Sequence, residues 1–251
     1  MTESKNLNAE VEQKFNSHSG PNDNADRISI PTFIGDLPHA IFHVDRGILY
    51  NFARLFKRPG ASIHEYLAGN RKLFFHPASY LVIALLLNYL VVKITDLHFY
   101  DENELASMTP IAAQAIKDYD ALQWWFLEHT YIYILLAIPA STFFLYLIFR
   151  LSSKKLNVAE TAVVVLFTIA QGVMIQSIIY LCFGWVQDGS FRRTMEMFNM
   201  SILILYASFV IYQLLSTLRL KFVRHVISLF SGIGLAAVWI ASAYLLYFVL
   251  H

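Results

Sequence analysis

The chain has 251 residues, 57% hydrophobic and 15% charged, against about 45–50% apolar and about 25% charged in soluble domains. Its formal net charge of +1 gives no basic nucleic-acid surface, and its single cysteine excludes an internal disulfide or a multi-cysteine zinc site. The composition belongs to an integral membrane protein and not to a soluble core.

Residues 1–32 are polar and rich in Asn, Ser, Asp and Glu. They lack the apolar stretch of a secretion signal and read as a disordered cytoplasmic tail. A basic amphipathic segment follows at residues 33–76. Apolar Ile48, Leu49, Phe52, Leu55 and Phe56 recur there at helical spacing, with Arg46, Tyr50, Arg54 and Lys57 opposite. Such a stripe suits a helix lying in the membrane interface. It equally suits one packed on the cytoplasmic mouths of the spans, and the two are compatible. Pro59-Gly60 stops this helix. Ser62-Ile63-His64-Glu65 has the pattern of a capping box opening a second, which Gly69 closes. Arg54, Lys57, Arg58, Arg71 and Lys72 are candidate contacts for anionic headgroups, each worth about 1 kcal/mol near the surface. Their simpler role is the charge signal that orients the first span.

Five stretches of 20 or more residues contain no Asp, Glu, Lys or Arg: Leu73–Val92, His129–Phe149, Thr161–Gln187, Met197–Leu218 and His225–His251. Crossing about 30 Å of hydrocarbon takes about 20 helical residues. The pattern therefore predicts transmembrane helices near 77–95, 131–149, 161–185, 197–217 and 226–250, joined through an outer loop at 96–128. Pro139 marks a kink in the second, and Glu160 and Glu196 stand at span boundaries. In the loop, acidic side chains read as a solvated face. Ile111, Ala115, Tyr119, Leu122 and Phe126 make one stripe of a helix that lies on the membrane or caps the bundle. Fifteen of the 19 Lys and Arg fall on the amino-terminal side of the alternation, which places the N-terminus in the cytoplasm and the C-terminus in the periplasm. Arg192-Arg193 is the dissenting pair. The fold class is an all-α integral membrane bundle of five transmembrane helices with added amphipathic interfacial helices.

Arg46-Gly47-Ile48-Leu49-Tyr50, Leu55, Arg58-Pro59-Gly60, Ile63, Glu65-Tyr66, Gly69, Arg71, Pro77 and Tyr80-Leu81 carry a family likeness. Over about Pro38 to Leu90 the chain resembles the domain-of-unknown-function 3667 family of bacterial membrane proteins, found largely in Bacteroidota. Many members bear an amino-terminal Cys-x-x-Cys zinc ribbon, which this chain lacks, so no zinc role carries over. The resemblance implies a bacterial inner-membrane protein and brings no activity or catalytic residue with it.

No formal charge falls near the centre of a span, where it would cost about 2.5–3.5 kcal/mol. Asn88, Gln171, Gln176 and Gln213 are the intramembrane polar candidates, read as interhelical hydrogen-bonding groups or as a polar solute path. Ser228, Gly232 and Ala236 form a small-residue packing stripe, within the chain or between copies in a homo-oligomer. Cys182 reads as a small buried hydrophobe. His39 and His43 lie four apart with Asp36 near, a polar stripe more than a metal site, and Asp45 suits a helix N-cap. The chain has no nucleophile elbow, phosphate loop or His-Glu-x-x-His pattern, so no catalytic residue, metal or cofactor is assigned. The expectation is a non-catalytic inner-membrane protein that engages anionic lipid or a protein partner, and no nucleic acid, through its basic segment. The rivals are a transporter or channel for a small uncharged solute along the four polar residues, and a lipid-modifying enzyme using His39, His43, Asp45, His64 or His76.

Overall fold

Hydrocarbon offers the backbone no partner but itself, and long apolar runs answer by forming helices. The computed structural model describes residues 47–96, 100, 105–152, 156–186, 188–216, 218 and 220–250. His39, His43 and Asp45 lie outside them, as does the polar tail. Among the described residues the α-helices are α1 (Gly47–Lys57), α2 (Pro59–Leu67), α3 (Pro77–Thr95), α4 (Pro110–Glu128), α5 (Thr130–Leu151), α6 (Val158–Phe183), α7 (Gly189–Leu214) and α8 (Lys221–Leu250). A 3-10 turn at Arg71–Leu73 precedes α3. Five helices, α3 and α5 to α8, are long and apolar enough to cross a membrane. The all-α, multi-pass architecture read from the sequence is the one observed.

Local chemistry sets the helix ends. Asn157 and Glu160 form a reciprocal capping box at the start of α6, with two 2.8 Å hydrogen bonds. The Asp188 carboxylate caps α7 by accepting the Phe191 N–H at 2.7 Å. The expected capping box at Ser62 is not used. α2 already begins at Pro59, whose fixed φ suits a first turn, and the Ser62 hydroxyl donates to the Arg58 carbonyl at 2.8 Å. Gly69 does close α2, at φ +102°.

α6 is the central helix: 78% of its most apolar stretch is buried, against 17% in α8. α3 runs parallel to it, since Tyr80 meets Gln171 and, further along, Asn88 meets Ser177. α5 packs on α6 and α8, and α7 packs on α8 and α2. Lipid tails are as apolar as leucine, so close fit and hydrogen bonds hold such helices together. Ser228 and Gly232 are buried, and a Cβ on Gly232 would come within 2.1 Å of Ser208 Oγ on α7. The small-residue stripe thus meets α7 of the same chain.

Three expectations shift. The fourth span helix begins at Gly189 and takes in Arg192, Arg193 and Glu196. Arg192 is only 4% exposed and donates to the carbonyls of Val186 (2.5 Å) and Gly184 (3.1 Å), so the helix absorbs a charge without showing it to lipid. On α4, Ile111 and Ala115 are exposed, and Asp120 is the buried position. α4 lies across the ends of α5 and α8, with Phe126 against Tyr133 and Tyr244 at ring distances of 6.4 and 5.2 Å. Cys182 is exposed, because it falls in the last turn of α6, where Leu181 and Phe183 are exposed as well.

Candidate functional site

α1 and α2 meet at Arg58 as a helical hairpin seated on α6 and α7. Helix ends leave orphan N–H and C=O groups, and polar residues of the spans satisfy those at this corner. The Tyr206 hydroxyl donates to the Leu55 carbonyl at 3.1 Å. Further back on α1, away from its end, Gln171 Nε2 donates to the Phe52 carbonyl at 3.3 Å. Gln213 Oε1 accepts the Gly60 N–H at 2.8 Å. A Cβ on Gly60 would stand 2.3 Å from that of Gln213, so only glycine lets α2 approach α7 this closely. Asn51, fully buried, takes the Phe75 N–H at 3.0 Å and donates to the Phe75 carbonyl at 3.3 Å. These bonds make the hairpin part of the bundle.

With its inner face fixed, the hairpin's charges sort by direction. Arg54 pairs with Glu65 across the hairpin and lies over the Tyr50 ring at 5.7 Å. Arg71 is half-buried, while Lys57, Arg58 and Lys72 are exposed. Beside them stand exposed apolar side chains, Leu49 (79%) and Leu73 (60%) among them, together with Phe56. Among the described residues no carboxylate pairs with Lys57, Arg58 or Lys72. Arg224, which sequence reasoning did not single out, flanks a groove with Gly60, His64 and Ser216. Its guanidinium stacks on Tyr212 at 3.7 Å, a pairing that only the α7–α8 turn creates. His64 is exposed and His76 half-buried. Among the described residues no cluster of three His, Cys, Asp or Glu could hold a metal.

The four intramembrane polar residues do not converge. Asn88 reaches Ser177 at 3.4 Å, Gln171 accepts from the Tyr80 hydroxyl at 2.6 Å, and Gln213 holds Gly60. Gln176 alone of the four lines a cavity of about 470 Å³ bounded by α6, α7 and α8 beneath α4. There Gln176 Nε2 donates to the Tyr180 hydroxyl at 2.8 Å, and Tyr180 donates to the Glu196 carboxylate at 2.6 Å. Glu196 lines the same cavity and is 7% exposed, although the sequence places it at a boundary. On the α4 wall, burial pushes the Tyr119 hydroxyl above its ordinary value of 10.0, and the nearby Glu196 charge adds to this.

Fold and hairpin together define a multi-pass, all-helical membrane protein. Residues 45–88 match the family model described as "Protein of unknown function (DUF3667)", and over that stretch the chain resembles the family. The match runs through α1, α2 and most of α3, so the hairpin and its first span are the shared part. No curated protein and no solved structure matches the chain.

Proposed function

We propose that this is a bacterial inner-membrane protein, with its N-terminus in the cytoplasm and its C-terminus in the periplasm, whose hairpin engages anionic lipid headgroups. The supporting observation is the exposed set Lys57, Arg58 and Lys72 beside Leu49, Phe56 and Leu73, on the hairpin and the 3-10 turn that follows it, with the hairpin bonded to the spans at its inner face. Apolar side chains enter the acyl boundary while cations meet phosphates, which is how interfacial helices bind. Holding the cations in one place lowers the ordering cost of binding. The fifteen-to-four distribution of Lys and Arg supports the orientation.

The test uses the purified full chain in neutral detergent, titrated with short-chain phosphatidylglycerol or phosphatidylcholine while its unfolding temperature is followed. A ligand that binds the folded state raises that temperature. Phosphatidylglycerol is expected to stabilise more than phosphatidylcholine, and rising salt to narrow the gap. The Lys57→Gln/Arg58→Gln/Lys72→Gln variant is expected to lose most of it, at about 1 kcal/mol per cation removed. Equal stabilisation by the two lipids, or a full difference in the variant, would exclude the proposal.

A further inference from the structure

The cavity beneath α4 lies apart from the hairpin and has its own chemistry. Its one buried carboxylate, Glu196, takes a hydrogen bond from Tyr180. Among the described residues, neither the Arg54–Glu65 nor the Lys93–Glu128 ion pair involves Glu196. Arg193, one turn earlier on α7, does not line the cavity. The hydrogen-bond chain runs one way: Gln176 donates to Tyr180, and Tyr180 donates to the carboxylate. It therefore ends on an acceptor, with Gln176 Oε1 as a second. Tyr119, Phe126, Tyr133 and Tyr244 line the same end, and aromatic faces attract cations. An acceptor-rich, ring-walled end built on a carboxyl group is the complement of an ammonium group, whose charge would favour the ionised carboxylate. Ionisable residues placed inside a membrane protein mark function by default.

The remainder of the wall is apolar, with Ile169, Leu203 and Leu235 among its residues. Met197, Ile240 and Tyr244 belong both to the lining and to the exposed helix surface, Met197 at 72% exposure. In a membrane-crossing bundle, an opening between such residues faces acyl chains. A volume of about 470 Å³ lies within the range of about 300–1,000 Å³ usual for small-molecule sites.

We propose that this cavity binds an amine-bearing amphiphile from the bilayer, its ammonium at Glu196 among the tyrosine rings and its chain along the α6–α7–α8 wall. The full chain, reconstituted in vesicles with Trp239 as its sole tryptophan, reads this directly. Trp239 lines the cavity, whereas Trp124, Trp125 and Trp185 do not and can be replaced by Phe. The probes are brominated dodecylamine and brominated dodecanol, whose bromine quenches a tryptophan it touches. The hairpin carries no tryptophan, so its lipid contacts leave this signal unchanged.

Half-quenching is expected at about tenfold less amine than alcohol, as a buried ion pair and cation–π contacts together allow. Glu196→Gln, which keeps an oxygen for Tyr180, is expected to remove that preference while the unfolding temperature holds. Leu203→Trp is unsuitable here because it adds a fluorophore, so Leu203→Phe serves to fill the cavity, and it is expected to weaken quenching by both probes. Equal quenching by amine and alcohol in the unsubstituted cavity, or a preference that survives Glu196→Gln, would overturn the proposal. Protection of Trp239 by ethanolamine as strong as that by unbrominated dodecylamine would overturn the amphiphile and leave a soluble amine.

Discussion

Asn51 shows how one side chain settles the position of a helix. It is fully buried within α1 and holds both polar groups of the Phe75 backbone. Removing it leaves a buried N–H and a buried C=O without partners, at about 1–3 kcal/mol each. Asn51→Ala is therefore expected to lower stability in detergent by about 2–6 kcal/mol, well beyond the effect of Asn88→Ala, whose bond to Ser177 is 3.4 Å long. Equal losses for the two variants would show that the Asn51 bonds to Phe75 add no special stability to the hairpin's seat. Nothing in the spacing of residues 47–57 announces this role, because the partner is a backbone group 24 positions away.

Among elements, helix starts were legible where a local rule governs them and illegible where a tertiary partner does. Pro77 and Thr109-Pro110 begin α3 and α4 as their chemistry requires. α7 starts earlier than its charge-free run suggests, since Arg192 and Glu196 find partners inside the protein. Glu196 was visible as a residue but not as a site: its meaning comes from Tyr180 on α6, 16 positions earlier. The start of α7 also carries a pH dependence. Hydrogen bonds from the Phe191 backbone and the Ser190 hydroxyl hold the Asp188 carboxyl below its ordinary value of 3.8. A carboxyl lowered by folding stabilises the protein above its unfolded value and loses that contribution as pH falls through the folded one. Asp188→Asn keeps the cap and is expected to flatten the acid-side loss of stability below pH 3.8. Identical acid unfolding of the two proteins would mean the carboxylate charge adds nothing there.

For the molecule as a whole, hydropathy and the charge-free runs read most of the architecture: five helices long and apolar enough to cross a membrane. They did not read how the amino-terminal hairpin joins them. Gln171, Tyr206 and Gln213 lie in three different places along the spans, and only folding aims them at the α1–α2 corner. That corner and α4 sit at opposite ends of the bundle, and the proposed orientation puts the hairpin inside the cell. Impermeant maleimide labelling of spheroplasts tests this directly, using the exposed positions Ala68 and Lys117 as single cysteines in a Cys182→Ser background. Lys117→Cys is predicted to label in intact spheroplasts and Ala68→Cys only after lysis. Labelling of both from one side, or the reverse order, would contradict the arrangement.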